Sequence, residues 1–367
     1  MAGTAPNLAA KIAAAPPGAA LAVAREHDFD YASDAYRDLF EASGATAFQH
    51  PLWLNALMRH VAPARGARSV PVVGRDGDGE LVFVLPMIAR VMNGVTLLES
   101  ADLGVSDYSA PVIRAGSSLP ADIGNRVAAA LPRHDILRLR PVPADNAGWS
   151  TLLCETLLPL GFSAHAARPT LPWDEWRAAA YDASFAKRLA RKMKSLDKAG
   201  DNGLVVLDDP DEIRASVRAI RALRAGRFEG DPIQTDAVAA FYEEVAISGA
   251  GAGFARTWRL DLDGEPVGHV FGLTWRGRFH YLLIGCDYER FGRFSPGLVM
   301  YDRMMRDWAE AGGDTFDFTI GDEPFKADFG TVPTAMLGLE KPATTRGRLA
   351  LLARDARDRL RRLSPGG

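Results

Sequence analysis

The sequence predicts a mixed α/β (α+β) protein whose sheets are mostly antiparallel and flanked by helices. Helix-type and strand-type apolar spacing alternate along the 367 residues, which is typical of layered α/β structures. Turn signals rich in Asp and Gly at 76–79 and 263–264 each join two apolar runs, as in antiparallel hairpins. The chain is also long enough for two domains of roughly 100–200 residues each.

We expect the first domain to cover residues 21–170. Residues 1–20 are rich in Ala, Pro and Gly, and we expect them to form a flexible tail. Gly161 is predicted to end a helix over 152–160. The other predicted helices are 35–42, 51–61 and 121–131, and the predicted strands are 70–74, 81–88, 95–98 and 136–140.

The second predicted domain, residues 171–343, has helices first, then an antiparallel meander, then strand, helix and strand. Its helices are predicted at 185–200, 211–224, 236–247 and 298–311, and its strands at 204–207, 255–262, 266–275, 279–285, 315–319 and 335–339. The two halves have a similar element order without a residue-level repeat. Residues 344–367 are predicted to form a basic amphipathic helix.

Composition excludes several classes of protein. The net charge of -3 gives no broad positive field for DNA. Cys154 and Cys286 lie far apart in apolar surroundings, so we expect two buried thiols rather than a disulfide or a metal site. Such cysteine usage favours a reducing cytoplasm. No apolar run reaches about 18 residues, and the first residues lack a secretory pattern.

The most informative segment of the chain is 281–326. A strand-type run is followed by a loop at 290–297 and by a helix. Its Ser-Pro-Gly sequence is typical of an ordinary helix start. A strand, a glycine-containing loop and a helix N-terminus also form an anion site, because free N–H groups and the helix dipole point at it. The candidates for binding a nucleotide-like cofactor are Arg290, Arg293, Ser295, Pro296, Gly297 and Leu298.

This segment carries a family resemblance. The order strand, RFSPG, helix, FDFTIGDEPFK resembles the CelD/BcsL type of GNAT acyltransferases, which are associated with bacterial cellulose and exopolysaccharide systems and related to Fem-type aminoacyltransferases. The likeness extends to FQHPLW at 48–53 and SDY at 106–108. Phe325 stands where the family commonly has Tyr. The resemblance implies two tandem GNAT-like domains, one of which lacks an evident cofactor site.

Acyl transfer to an amine requires removal of a proton and stabilisation of an oxyanion. The catalytic candidates are Asp322, Lys326, His269, Tyr281 and Asp317. Each has a structural alternative: Asp322 a helix cap, His269 a hydrogen-bonded strand residue, Tyr281 an aromatic strand residue, and Asp317 an ion pair with Lys326 or Arg303. Because His280 alternates with Tyr281, only one of the two can face a cleft.

We expect polar residues of the first half to line a groove between the domains that binds the acceptor substrate, because ligand sites often lie between domains. The candidates are His50, Trp53, Asp107 and Tyr108. The structural alternative is N-capping before Pro51 and a turn at 106–107.

Two basic segments also need an explanation. The helix at 185–198 is predicted to be either a solvated face or a surface for a phosphorylated or lipid-linked sugar. The C-terminal helix has seven Arg and two Asp beside an apolar stripe. It is suited to packing on the domain, to an anionic membrane surface, or to a phosphate-bearing regulator such as a cyclic dinucleotide.

The resemblance implies an N-acyltransferase that moves an acyl group directly from acetyl-CoA, or another acyl-CoA, to an amine. The implied acceptor is an amino sugar of an exopolysaccharide or cell-envelope precursor, either a small molecule or a lipid-linked saccharide. No metal is implied. Two alternatives stay open: a Fem-like transferase that uses aminoacyl-tRNA, and a non-catalytic module that binds a cyclic dinucleotide through its arginine-rich tail. We expect a cytoplasmic protein, at the inner face of the membrane if the tail binds lipid.

Overall fold

Strands from both halves of the chain join in one large sheet. The computed structural model describes residues 21–363, so the predicted tail at 1–20 lies outside the described residues. The first half contains β1 (Ala22–Arg25), α1 (Asp34–Glu41), α2 (Pro51–Ala56), α3 (Ala62–Ala64), β2 (Ala67–Ser69), β3 (Val72–Arg75), β4 (Leu81–Leu85), β5 (Met87–Met92), β6 (Val95–Ser100), β7 (Val112–Ile113), α4 (Ile123–Ala130), β8 (Ile136–Pro143), α5 (Gly148–Leu153) and β9 (Leu158–Ala167). A π-helical turn at Leu57–Val61 joins α2 to α3.

The second half follows the predicted order closely. It contains α6 (Trp173–Ala180), α7 (Ala183–Asp197), β10 (Asn202–Leu207), α8 (Pro210–Arg224), α9 (Asp236–Gly251), β11 (Ala255–Leu262), β12 (Glu265–Trp275), β13 (Arg278–Cys286), α10 (Tyr288–Phe291), α11 (Pro296–Glu310), β14 (Thr315–Ile320), α12 (Phe325–Asp328), β15 (Val332–Pro342) and α13 (Thr345–Leu363). The meander β11–β12–β13 and the strand–helix–strand unit β13–α11–β14 match the predicted positions to within a few residues.

The strand order explains how the halves are joined. The large sheet runs β10-β11-β12-β13-β14-β9-β15-β8-β6-β5-β2, and a four-stranded sheet runs β1-β3-β4-β7. Strand β9 of the first half lies between β14 and β15 of the second half, antiparallel to both. The predicted boundary at 170/171 falls between β9 and α6, yet strand pairing crosses it.

Two strand pairs of the described chain are parallel, and each is joined through a helix. Strands β6 and β8 pair through α4, and β13 and β14 pair through α11. Antiparallel pairs account for the rest of both sheets, as the predicted mixed, mostly antiparallel arrangement requires. The parallel pair β13–β14 is the one that positions the candidate site.

One helix prediction was wrong. Residues 152–160 were expected to form a helix, but α5 ends at Leu153 and β9 begins at Leu158. Cys154 ends α5 in the left-handed conformation at φ 53°, so the chain turns before the predicted end. The strand partner of Leu158 is Gly338 on β15. Because this partner is distant in sequence, a local sequence pattern cannot predict the pairing. Cys154 is also exposed rather than buried, whereas Cys286 is buried as expected.

A buried polar cluster connects the halves below the large sheet. The Tyr108 hydroxyl of the first half donates to both carboxylate oxygens of Asp317 on β14, at 2.9 Å each. Arg278 of β13 donates to Asp317 from 3.0 Å. Asp317 is completely buried, so its charge depends on these partners. The predicted partners of Asp317, Lys326 and Arg303, are replaced by Arg278 and Tyr108.

Replacing Tyr108 with Phe is expected to destabilise the protein. The variant removes a hydrogen bond to a buried carboxylate, and such bonds contribute about 1.5–3 kcal/mol. Urea denaturation of Tyr108→Phe should show a fall of that size in the free energy of unfolding. Tyr31→Phe is the matched control, because the buried Tyr31 hydroxyl has no hydrogen-bond partner among the described residues. Equal stability losses in the two variants would contradict the assigned role of Tyr108.

Candidate functional site

The candidate site is a cleft that opens where β13 and β14 part. The two strands pair only at their first residues, through Arg278 with Thr315, Phe279 with Phe316 and His280 with Asp317. Beyond these pairs they diverge, and side chains from Tyr281 onward no longer meet a strand partner on that side. Parted parallel strands leave backbone groups that must find other partners. We call the opening the β13–β14 cleft.

A bulge on β13 lies at the point of parting. Phe271 of β12 pairs with Leu283, and the next residue, Gly272, pairs with Tyr281. Leu282 therefore has no partner residue on β12, and it lies beyond the last pair with β14. Bulges often re-aim groups next to binding sites. The backbone of Leu282 is therefore available to a ligand in the cleft.

A kink on β14 forms the other wall. Thr319 has φ 57°, in the left-handed region that side chains seldom adopt. Asp317 accepts the Thr319 backbone N–H at 2.8 Å. Lys326 donates to the carbonyls of Thr319, Ile320 and Gly321 at 3.3, 2.8 and 2.9 Å. Two buried charged side chains therefore take the place of strand pairing at the kink.

Lys326 and Asp317 are thus positioning residues in this geometry. The Lys326 ammonium is also within 2.9 Å of the Glu323 carboxylate, and only 3% of the lysine side chain is exposed. Three carbonyls and a carboxylate occupy all of its proton-donating capacity. Asp317 faces away from the β13–β14 cleft, into a smaller cavity on the other side of the strands.

The β13–β14 cleft is a cavity of about 640 Å³. Its walls come from β13, the segment from β14 to α12, the loop after β6 in the first half, the end of α8 with the loop after it, and the segment from α10 into α11. The residues used below are Asp107, Tyr281, Leu282, Gly297, Thr319 and Lys326. A second cavity of about 170 Å³ adjoins it and shares Asp107, Arg224 and Leu282 with it.

Asp107 is the titratable group best suited to proton transfer. The pKa of its carboxyl is raised to about 7, chiefly by burial; the neighbouring Asp317 charge also raises it, while the hydrogen bond with Thr319 and the Lys326 charge lower it. A general base is most effective when its pKa lies near the working pH. Asp107 also borders both cavities, so its carboxylate can be reached from either one. The sequence predicted Asp107 as a substrate-binding residue, and the structure places it in the cleft.

Tyr281 contributes a phenol to the cleft. Tyr301 donates to the Tyr281 hydroxyl at 2.9 Å, which leaves the Tyr281 proton free to be donated elsewhere. Burial raises the pKa of Tyr281 well above its usual value, so the group remains a neutral donor. The expectation that only one of His280 and Tyr281 faces the cleft is confirmed, because His280 lines the cavity on the opposite side.

The start of α11 borders the cleft but offers few free amides. Pro296 has no N–H, and the amides of Leu298 and Val299 both donate to the Ser295 carbonyl. Gly297 carries the remaining amide of the first turn, and a Cβ there would lie 2.8 Å from the Tyr288 hydroxyl. Ser295 does not cap the helix with its side chain; it adopts φ 54° instead.

The two arginines predicted to bind phosphate do not line the cleft. Arg290 is exposed and lies 3.5 Å from Glu265. Arg293 lies over the ring of Phe294, and its backbone carbonyl accepts from Lys192 at 2.6 Å. Ser295, Gly297 and Leu298 do line it. Of the groups predicted to bind an anion, the first turn of α11 borders the cleft and the two arginines do not.

Two predicted catalytic residues lie outside the cleft. His269 is buried beside Ser216, with Nδ1 2.8 Å from the serine hydroxyl, and burial lowers its pKa to about 4. Asp322 is paired with His165 at 2.8 Å, and this hydrogen bond lowers its carboxyl pKa. Neither side chain borders the cleft. The structural alternative, a hydrogen-bonded strand residue, fits His269. The alternative for Asp322 was wrong, because α12 has Pro324 at its N-cap and no side-chain cap.

Three predicted acceptor residues are core residues. The His50 ring accepts the Leu52 N–H as an N-cap and stacks on Phe254 at 3.8 Å. Trp53 is completely buried, and its indole donates to Ser106 at 2.9 Å. The Tyr108 hydroxyl donates to the Asp317 carboxylate, as described above. Of the four acceptor candidates, Asp107 alone borders the cleft.

The sequence did not indicate Arg224, Leu282 or Thr319. Arg224 ends α8 and is paired with Asp231 at 2.7 Å at the edge of the cleft. Its tertiary position, not a local pattern, brings it there, and its sequence context is that of a solvated helix end. For Leu282 a weak signal exists: the apolar run 281–284 breaks strict alternation, as a bulge requires.

Two features are absent from the part of the chain that the structure describes. Within 21–363, no group of three or more His, Cys, Asp and Glu side chains is arranged to hold a metal ion. No helix in the same range is both long and apolar enough to cross a membrane.

Comparison with known proteins identifies the second half. Residues 183–327 match the family model of the acetyltransferase (GNAT) domain, so this segment is a GNAT-superfamily domain. The structure is similar to that of FemX, with 13% identity, a TM-score of 0.58 and coverage of 87% of this chain and 97% of that one. It is also similar to L-PGS from Bacillus licheniformis, with 14% identity, a TM-score of 0.55 and coverage of 86% and 94%.

At such low identity these structures show a shared fold alone. Their coverage extends over both halves, and the predicted mixed α/β fold, with sheets flanked by helices, is confirmed. No curated protein sequence matches the chain.

Proposed function

We propose that this chain is an N-acyltransferase that moves an acyl group from acyl-CoA, with acetyl-CoA the first choice, to an amine. The observation that carries the proposal is the β13–β14 cleft, which places a free backbone segment, a carboxyl with a pKa of about 7 and a neutral phenol around one cavity. The donor would lie between the parted strands, with its phosphates toward the first turn of α11.

The reaction needs one bond to form and one to break. The amine nitrogen attacks the thioester carbonyl, a C–N bond forms, and the C–S bond breaks. The Asp107 carboxylate takes the proton that the amine loses, and backbone groups at Leu282 stabilise the negative oxygen. Tyr281 donates a hydrogen bond to the departing sulfur. The sulfur leaves as a thiolate that takes a proton from water, and Asp107 returns the amine's proton to water, so the products are an amide and a free thiol.

Direct transfer fits the cysteines. Burial raises the pKa of the Cys286 thiol to about 12, so it is a poor nucleophile at neutral pH. Cys154 is exposed at the end of α5 and does not line the cleft. The amine is therefore proposed to attack the donor without an acyl-enzyme.

The acceptor would reach Asp107 through the 170 Å³ cavity, which adjoins the cleft at Asp107 and Leu282. We propose an amino sugar of an exopolysaccharide or cell-envelope precursor, as in the CelD/BcsL type that segment 281–326 resembles. The saccharide would be free or lipid-linked. Acyl-CoA donors are cytoplasmic, which places the proposed reaction in the cytoplasm.

A second candidate donor is aminoacyl-tRNA, and one observation favours it. The first turn of α11 has a single free amide, and Arg290 and Arg293 lie outside the cleft, so a pyrophosphate would have few partners there. The basic helix α7 meets the same loop through Lys192. Its exposed lysines and arginines would suit a larger polyanion.

Asp107→Asn is expected to lower kcat/KM by about 10²–10⁴-fold, because it removes the proposed general base. With acetyl-CoA and glucosamine as probe substrates, wild-type kcat/KM should rise as the pH rises through about 7, where the Asp107 carboxyl loses its proton. The pH profile of kcat/KM for the variant should show only the ionisation of the acceptor amine. Asp322→Asn, with its carboxylate outside the cleft, is the matched control. A pH profile shared by Asp107→Asn and wild type would eliminate Asp107 as the base.

Donor binding separates the two candidate donors. Gly297→Val places a branched side chain against Tyr288, so calorimetry should show acetyl-CoA binding to wild type and at least roughly tenfold weaker binding to the variant. Gly251→Val is the control, since a Cβ at Gly251 meets nothing within 4 Å. Wild-type protein that binds tRNA but not acetyl-CoA would favour the second candidate.

A further inference from the structure

The C-terminal helix α13 contacts the rest of the protein along one side. A Cβ at Gly347 would lie 2.0 Å from the Asp135 carbonyl oxygen, so the helix approaches the sheet closely at that residue. Two turns further along, Arg354 donates to Glu340 of β15 at 2.7 Å, and the residue directly before Gly347, Arg346, donates to the carbonyl of Gly94 at 3.3 Å. These contacts fix which side of α13 faces the protein.

Three leucines of α13 lie on the opposite side. Leu349, Leu352 and Leu360 are 62%, 60% and 66% exposed. At 3.6 residues per turn they fall within an arc of about 80°, centred about 160° from the side that carries Gly347 and Arg354. The predicted packing of the apolar stripe on the domain is therefore wrong for these leucines, which face solvent.

Arginines border the leucine stripe on both flanks. By the same helical geometry, Arg348 and Arg359 lie along one flank, and Arg346 and Arg357 lie along the other. The whole helix contains seven Arg and two Asp. An apolar stripe between two rows of basic side chains is the pattern of helices that lie in the interface of an anionic membrane.

A neighbouring hairpin extends the apolar surface. The end of β5, next to its turn into β6, exposes 67% of Val91 and 44% of Met92. The carbonyl of Gly94 in this turn accepts the Arg346 hydrogen bond, so the turn and the start of α13 are adjacent. Clustered exposed apolar residues with a polar rim mark an interaction surface more than isolated ones do.

We propose that α13 binds the surface of an anionic membrane, with its leucines in the acyl boundary and its arginines at the lipid phosphates. A second copy of the chain is a poorer partner, because two such helices would bring rows of arginines together. Anionic lipids instead attract each arginine near the surface. The proposal does not depend on the reaction assigned to the β13–β14 cleft.

Vesicle co-sedimentation of the full chain tests the proposal. Wild type should bind vesicles of equal parts phosphatidylcholine and phosphatidylglycerol, and should remain in the supernatant with phosphatidylcholine alone. Replacing Leu349, Leu352 and Leu360 together with Ser should lower the partition coefficient at least about tenfold, because it removes the inserted side chains. Arg357→Gln with Arg359→Gln should lower it by on the order of tenfold or more.

Two arginines of α8 provide the matched control. Arg214→Gln with Arg218→Gln removes the same charge from another exposed helix and should leave vesicle binding unchanged. Circular dichroism would verify that every variant stays folded. The proposal fails if wild type binds both vesicle types equally or neither, or if the leucine variant binds as wild type does. It also fails if light scattering shows that wild type is a dimer and the leucine variant a monomer, while wild type does not bind either type of vesicle.

Discussion

The site depends on two charged side chains that replace strand pairing where β13 and β14 part. Asp317 accepts the Thr319 N–H, and Lys326 donates to the three carbonyls from Thr319 to Gly321. Without such partners, buried backbone groups in a parted sheet would be unsatisfied, at roughly 1–3 kcal/mol each. The kink at Thr319, the free backbone at Leu282 and the cavity between the strands all follow from this substitution of side chains for a strand.

The same charges connect the cleft to the first half of the chain. Asp317 is held by Tyr108, and the adjacent residue, Asp107, enters the cleft. The Asp317 charge is one cause of the raised Asp107 pKa. One short segment of the first half therefore fixes the kinked strand and supplies the titratable group. The first half therefore contributes one wall of the cleft that the second half forms.

The sequence predicted the second half better than the first, for physical reasons. The meander and the β13–α11–β14 unit are joined by local turns and strict apolar periods, which local patterns reveal. Strand β9 pairs with β15, nearly two hundred residues away, so its residues were mistaken for a helix. Tyr281, Gly297 and Lys326 were found because they lie in one contiguous segment. The roles of Asp107 and Asp317 depend on burial and on each other's charge, which no linear pattern contains.

The most direct test of the account is Lys326→Met, examined by hydrogen exchange and by acetyl-CoA calorimetry, with the exposed α7 variant Lys194→Met as control. We predict faster amide exchange in the segment around Thr319–Gly321 and loss of acetyl-CoA binding, while β11 and β12 keep their protection. If Lys326→Met exchanges and binds acetyl-CoA as the control does, the Lys326 ammonium does not hold the strands apart.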